Sequence, residues 1–292
     1  MERGRKTYGC QSMIAPLRRV LVKRPDEAFA GADPAKWHYS GRPHLEKARQ
    51  EHDQLVAILR DSGAEVIYLE NIPPGLADAI YVHDPAMITD DGAVILRMSK
   101  DLRRGEEEAM ARCLEALGVP VRYRLHGQAR AEGGDLLWLA HDTLAVGLGF
   151  RTNGEGFRQL AQALSGMGAN LLPVSLPYDR GPESCLHLMS LINIVDADLA
   201  VVYFPLLPAT FWQYLRERGF RLIPVPQEEF ATIGPNVLAL APGKCLMLEG
   251  NPITQKRLEE AGCEVLTYRG EEISLKAEGG PTCLTRPILR EQ

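Results

Sequence analysis

A motif class recurs in this chain with a period of about fifty residues, and that period limits the folds open to it. Five helical patterns, at roughly 43–62, 104–117, 154–166, 208–218 and 252–261, are each closed by a nearby glycine (63, 118, 168, 219 and 262). Each glycine leads into an apolar, β-branched strand pattern such as AEVIYLE or CEVLTYR. Helical spacing of apolar residues, a glycine at the C-terminus and a strand-like run make each unit legible. After each strand comes a polar turn, then a strand, a tight turn and another strand. Aligning the turns on Asp84, Asp135, His187, Asn236 and Cys283 gives spacings of 51, 52, 49 and 47 residues.

A fixed period of this length signals repeat architecture. Five mixed units in 292 residues predict a closed ring of ββαβ-type blades, an α/β five-bladed propeller, as a single domain over 1–292. The fifth unit lacks its last strand, and LRRVLVKRP (17–25) is placed to supply it and close the ring. An open parallel sheet is the competing arrangement. The turns TDDG and APG, which favour antiparallel hairpins, argue against it.

In a pseudo-symmetric ring, equivalent turns point at the axis. Asp84, Glu132, His187 and Cys283 would then converge although they lie far apart in sequence. Cys283 follows a Gly-Gly-Pro turn and is the strongest nucleophile of the set as a thiolate. His187 can give and take a proton. Two carboxylates beside such a pair would oppose an anionic acyl transition state, but they suit a cationic electrophile. A planar guanidinium matches carboxylate geometry in bidentate fashion. Taken singly, His83 and His126 read as structural or surface residues, Cys185 as packing, and Asn236 as a structural turn residue.

Bulk properties narrow the partners. The net charge of −5 carries no basic footprint for nucleic acid. No apolar run reaches membrane-spanning length, and MERGRKTYGCQS lacks the apolar core of a signal peptide. Six cysteines without CxxC pairing fit a reducing cytoplasm and neither a zinc site nor a disulfide framework. No metal and no cofactor is expected. The sequence allows, without requiring, a homodimer.

With these motifs in place, the chain resembles the guanidino-group-modifying (pentein) superfamily, and within it the dimethylarginine dimethylaminohydrolases. The resemblance rests on Leu76-Ala77-Asp78 with His83-Asp84, the EGGD at 132–135, Gly147 to Asn153, Leu186-His187-Leu188 and Gly-Pro-Thr-Cys283. It implies that Cys283 is the nucleophile, His187 the general acid and base, and Glu132 the carboxylate that holds the guanidinium and orients the centre. It implies Asp84 as the second guanidinium carboxylate, Arg97 and Arg151 as the grip on an α-carboxylate, and Asp78 as the partner of an α-ammonium. The implied reaction is hydrolysis of an Nω-methylated arginine to citrulline and an alkylamine. Two features depart from that branch: His83-Asp84 stands where it has Glu-Asp, and Gly149-Phe150 where it has Ser-Lys. The related arginine deiminases carry an aspartate two residues after the histidine, where this chain has Met189, and Met189 is expected to leave room for an alkylated nitrogen. Deiminase activity on arginine, amidino transfer to an amine, and binding without catalysis are the alternatives.

Overall fold

The computed structural model describes residues 6–182 and 185–291. Five three-stranded sheets form, each with an antiparallel pair followed, across a helix, by a strand parallel to the middle one. In the first complete unit Ala86–Thr89 pairs antiparallel with Gly92–Ile95, and the chain returns through helix Glu106–Ala116 to place Val121–Arg124 alongside. The next three units repeat this course around Thr143–Leu148, Leu199–Val202 and Lys244–Leu248 as middle strands. The expected closure is present. Leu17–Val22 pairs antiparallel with Arg286–Arg290 and parallel with Glu65–Tyr68, so the fifth blade is built from both ends of the sequence.

The blade helices match their sequence patterns closely, from Leu45–Asp61 in the first to Pro252–Glu260 in the last. Each of the five glycines that end these patterns has a positive φ, between 69° at Gly168 and 98° at Gly262. That conformation costs glycine nothing and turns the chain out of the helix.

The apolar cores lie between neighbouring blades. Val94 and Leu96 pack with Leu136, Trp138 and Val146 of the next blade, and Leu137 and Ala145 pack with Ile192, Ile194 and Ala200. The pattern continues through Val195 with Val237 and Cys245, and Leu238 and Leu246 with Val20 and Val22. Leu21 and Ile288 meet Ile88 and Ile95, which completes the circle. Burial of this kind stabilises by about 25 cal/mol per Å² of apolar surface. Because each sheet contributes both faces, no blade can bury its residues alone.

A hydrogen-bonded belt runs around the axis and uses the repeat positions themselves. Gly133 N donates to Asp84 O at 3.1 Å. Leu188 N donates to Asp135 Oδ1 at 2.9 Å, and Asn193 Nδ2 to Pro235 O at 2.8 Å. Thr282 N donates to Asn236 Oδ1 at 3.0 Å. His83 N closes the belt by donating to Cys283 O at 3.2 Å. The fifty-residue period thus becomes a ring of turns in direct contact. Among the described residues no helix is long and apolar enough to cross a membrane.

Candidate active site

On one side of this belt lies a cavity of about 460 Å³ lined by Asp78, Asp84, Glu132, His187 and Cys283 together. Four residues on its walls, His38, Asp179, Ile233 and Glu278, have left-handed backbone with φ of 62°, 47°, 64° and 59°. Such conformations are costly for side chains with a Cβ, most of all for β-branched Ile233, and they gather where a site over-determines the backbone.

Glu132 is buried at the start of the short turn Gly133–Asp135. Its Oε2 lies 2.8 Å from His187 Nε2. Its Oε1 accepts from Ser99 N at 2.8 Å and Ser99 Oγ at 2.6 Å. Burial opposes the Glu132 charge, but the bonded His187 outweighs it and holds the carboxyl below its ordinary range. Asp84 is likewise kept ionised against its burial by His187 and Arg103. Its Oδ2 accepts from Arg103 Nη1 at 2.7 Å and its Oδ1 from Gly134 N at 3.0 Å.

A Cβ on Gly134 would stand 2.6 Å from His187 Nδ1, so only glycine lets the imidazole lie against this turn. Asp135 fixes the same histidine from behind. It accepts from Leu188 N and, at 2.6 Å, from Thr152 Oγ1. Burial pushes the Asp135 carboxyl up to about 6. His187 itself is fully enclosed, which disfavours its charge, yet Cys185, Asp84 and Glu132 raise it well above the usual histidine range.

Cys283 follows Thr282, whose amide and hydroxyl are both anchored on Asn236 Oδ1. Asn236 Nδ2 comes to 3.6 Å from the Cys283 sulfur. Asn236 therefore anchors the turn that carries Cys283, a contact its own turn position did not show. Burial first, and then Asp84, push the Cys283 thiol up to about 11, with His187 pulling the other way.

Cys185, which reads as packing in the sequence, also lines the cavity. Its sulfur lies 3.8 Å from His187 Nδ1, and although burial resists, His187 draws the thiol below its ordinary range. Its place two residues before the histidine was the available signal. Lys100 and Arg103 were missed as well, and both line the cavity.

Arg97 is not brought there. Its guanidinium bonds the carbonyl of Gly127, and its backbone bridges to Ala131 on the neighbouring blade. Arg97 stands two residues beyond the strand Gly92–Ile95 and is not part of the cavity wall. Arg151 is buried beside the cavity and donates to Ser99 Oγ at 3.3 Å. With Lys100, Trp37 and His38 it lines an adjoining groove. Asp78 accepts from Tyr39 Oη at 2.6 Å and has Lys100 Nζ at 3.9 Å. Met189 does not face the cavity. It is buried in the inter-blade core, so its apolar character answers to packing. His83 is structural, as its sequence position suggested, with Nδ1 at 2.9 Å from Thr285 O.

Donor atoms of Asp84, Glu132 and His187 lie within 4.8 Å of one another. That cluster could hold a cation. With His187 already bonded to Glu132 and Asp84 already facing Arg103, it presents two carboxylates in one cradle beside a thiol.

A family model described as N,N dimethylarginine dimethylhydrolase, eukaryotic, matches residues 26–290. An N(G),N(G)-dimethylarginine dimethylaminohydrolase of Streptomyces coelicolor is 28% identical over 280 residues, covering 92% of this chain and 96% of the relative. An arginine deiminase of Mycobacterium avium is 25% identical, with 97% of this chain and 98% of the relative covered. Among solved structures, the dimethylarginine dimethylaminohydrolase of Pseudomonas aeruginosa complexed with citrulline superposes with a TM-score of 0.77 at 22% identity, covering 92% of this chain and 98% of that one. The N-terminal domain of ArgZ, a cyanobacterial arginine dihydrolase bound to product, gives 0.81 at 22% identity, covering 93% and 97%. The fold is thus the five-bladed pentein propeller. The chain belongs to the dimethylarginine dimethylhydrolase family and is an amidine hydrolase acting on a guanidino group.

Proposed function

We propose that this member of the family hydrolyses an Nω-methylated arginine to citrulline and an alkylamine through a covalent intermediate on Cys283. One observation carries the reading: a thiol, a buried histidine–glutamate pair and a second ionised carboxylate share one axial cavity. The guanidinium lies between Asp84 and Glu132, whose charges complement it. Lys100 and the adjoining Arg151 receive the α-carboxylate, and Asp78 the α-ammonium.

Burial first, and then Asp84, favour the protonated form of the resting thiol. A cation bound beside it reverses that balance, so substrate binding itself favours the thiolate, and the thiol proton leaves to solvent. Sulfur attacks the guanidinium carbon. The bond from carbon to the substituted nitrogen breaks as His187 passes a proton to the departing amine. An S-alkylthiouronium remains. His187 then takes a proton from water, whose oxygen adds to the same carbon. The carbon–sulfur bond breaks as the adduct's hydroxyl becomes a carbonyl and gives its proton to the departing sulfur, and the ureido product leaves. The whole chain acts as one catalytic domain, and a nucleophile that must stay reduced suits the cytoplasm.

The test is to incubate the protein with arginine, monomethylarginine, asymmetric dimethylarginine and agmatine, and to measure ureido product and released amine. Citrulline with methylamine or dimethylamine is the expected outcome. Ammonia from arginine as the faster reaction would replace this substrate by the deiminase one. Amidino transfer to added glycine or ornithine would change the reaction class. No ureido product from any of the four would overturn the reading.

A further inference from the structure

The groove that adjoins the catalytic cavity has a volume of about 390 Å³. The two spaces share Trp37, His38 and Lys100 as lining. The cavity alone, at about 460 Å³, is large enough for a small ligand, since such sites commonly measure about 300–1,000 Å³. The groove is further space of the same order, entered past Lys100.

Four cationic side chains line the groove: Lys36, Lys100, Arg130 and Arg151. Among its described lining residues the one carboxylate is Asp101, and that group pairs with Arg104 at 2.9 Å. Lys100 Nζ has Asp78 at 3.9 Å, and Arg151 donates to Ser99 Oγ. Lys36 and Arg130 form no ion pair among the described residues. Other exposed arginines are matched: Arg124 meets Glu108 at 2.9 Å and Arg158 meets Glu155 at 2.6 Å. The chain as a whole carries −5, so this gathering of positive charge runs against its average. A concave wall of one sign concentrates ligands of the other.

The cations stand on ordered backbone. Arg130 N donates to Asn153 Oδ1 at 3.1 Å, and Arg130 O accepts from Asn153 N at 3.1 Å. Lys36 belongs to the short helix Pro34–Trp37, where Asp33 caps the N-terminus by accepting from Ala35 N. Both side chains are exposed. Trp37, which is buried, and Phe150, which is exposed, add apolar surface to the same groove. An inorganic ion would use the charges alone. An organic acid on a short hydrocarbon stem uses the charges and the apolar wall together.

We propose that the groove receives a second residue joined to the substrate, so that this enzyme also takes dipeptides with the guanidino amino acid first and an acidic residue second. This deepens the reading above and rests on its placement of the guanidinium between Asp84 and Glu132 and of the α-ammonium at Asp78. Lys100, on the shared wall, then meets the peptide carbonyl oxygen. The two carboxylates of the acidic residue meet Arg151, Arg130 and Lys36. The peptide bond stays intact, and the reaction at the guanidinium carbon is unchanged. Peptide-bond hydrolysis of a methylated protein is the class of reaction that supplies such a substrate.

The experiment measures kcat/KM of the whole protein for monomethylarginine and for its dipeptides with glutamate and with lysine. Calorimetry on Cys283→Ser gives the Kd of the matching arginyl dipeptides. In both measurements the glutamate dipeptide is expected to surpass the lysine one by about tenfold or more, the sum of several exposed charge contacts. The gap should narrow in about 0.5 M salt, which screens such contacts. Lys36→Ala combined with Arg130→Ala should weaken the glutamate dipeptide by about tenfold, roughly threefold for each charge. Monomethylarginine should stay within about twofold of wild type, because exposed substitutions of this kind leave the fold intact. Absence of binding by the glutamate dipeptide overturns the inference, and turnover of monomethylarginine in the same assay leaves the proposed function standing. Equal constants for the two dipeptides, or an advantage that survives the double substitution, overturns it as well. If unmethylated arginine alone is hydrolysed, the methylated-substrate reading falls and the calorimetry still decides on the groove.

Discussion

His187 Nε2 and Glu132 Oε2 meet at 2.8 Å with both side chains almost fully enclosed. The pair therefore holds its proton tightly, and Glu132 shares in setting the range in which His187 can act as an acid. Glu132→Gln keeps the shape and removes the charge. We expect kcat to fall about a hundredfold or more, in line with loss of positioned acid–base catalysis. The alkaline limb of the kcat profile, which reports loss of the His187 proton, should move to lower pH because a group that raised His187 is gone. Rates and limb both unchanged would show that the pair is only structural.

Cys283→Ser should leave less than about 1% of turnover, since a hydroxyl is a far weaker nucleophile at neutral pH. In the wild type the thiol is pushed up to about 11 by burial, well above a reference thiol. Iodoacetamide should therefore label the Cys283 peptide about a hundredfold more slowly at pH 7 than an ordinary thiol. Labelling should climb with pH until about 11. Peptide mass spectrometry separates this site from Cys185. Rapid labelling of Cys283 at pH 7 would mean a resting thiolate.

Lys100 lines the cavity, and Arg97 does not. Lys100→Ala should raise KM for amino-acid substrates by about ten- to a hundredfold, the range for losing a charge-assisted bond. Agmatine, which has no carboxylate, should be nearly unaffected. Arg97→Ala should leave both constants close to wild type. The reverse pattern would restore Arg97 to the site.

Asp135 has its folded-state carboxyl raised to about 6 by burial. A raised carboxylate binds its proton more tightly when folded, so its contribution is fully present below the unfolded value near 4 and is lost as pH rises through about 6. The loss is on the order of 3 kcal/mol. Asp135→Asn cannot ionise and should lack this decline. The comparison is of denaturant midpoints for the two proteins from pH 4 to pH 8. Parallel curves would exclude Asp135 as the cause.

Much of this arrangement is written in the sequence. The five helix–glycine–strand units survive almost residue for residue, because each is fixed by local preferences: apolar spacing in the helix and positive φ at its final glycine. That Cys283, His187, Glu132 and Asp84 share one cavity was also legible, since each stands at a turn that the repeat directs to the axis, whereas Asp78, on the same wall, was indicated by the family resemblance alone. What failed depended on side-chain direction at strand ends. Arg97 and Lys100 are three residues apart, yet Lys100 lines the cavity and Arg97 does not. Met189 follows His187 by two residues and turns into the inter-blade core. Cys185 and Arg103 have no pattern of their own, and they gain meaning only from the charges that packing sets beside them.

The clasp between Leu17–Val22 and Arg286–Arg290 has a topological meaning. That pair is the same antiparallel unit that a tight hairpin connects in the other four blades. Leu17 already stands opposite Arg290. In space the molecule is circular, and the place where its backbone is cut is a property of the gene, not of the fold. A chain joined across this clasp and opened at the turn between Ile192–Asp196 and Leu199–Val202 would present the same belt with Cys283 encoded before His187. The order Asp84, Glu132, His187, Cys283 is then one of several equivalent ways to write a single ring.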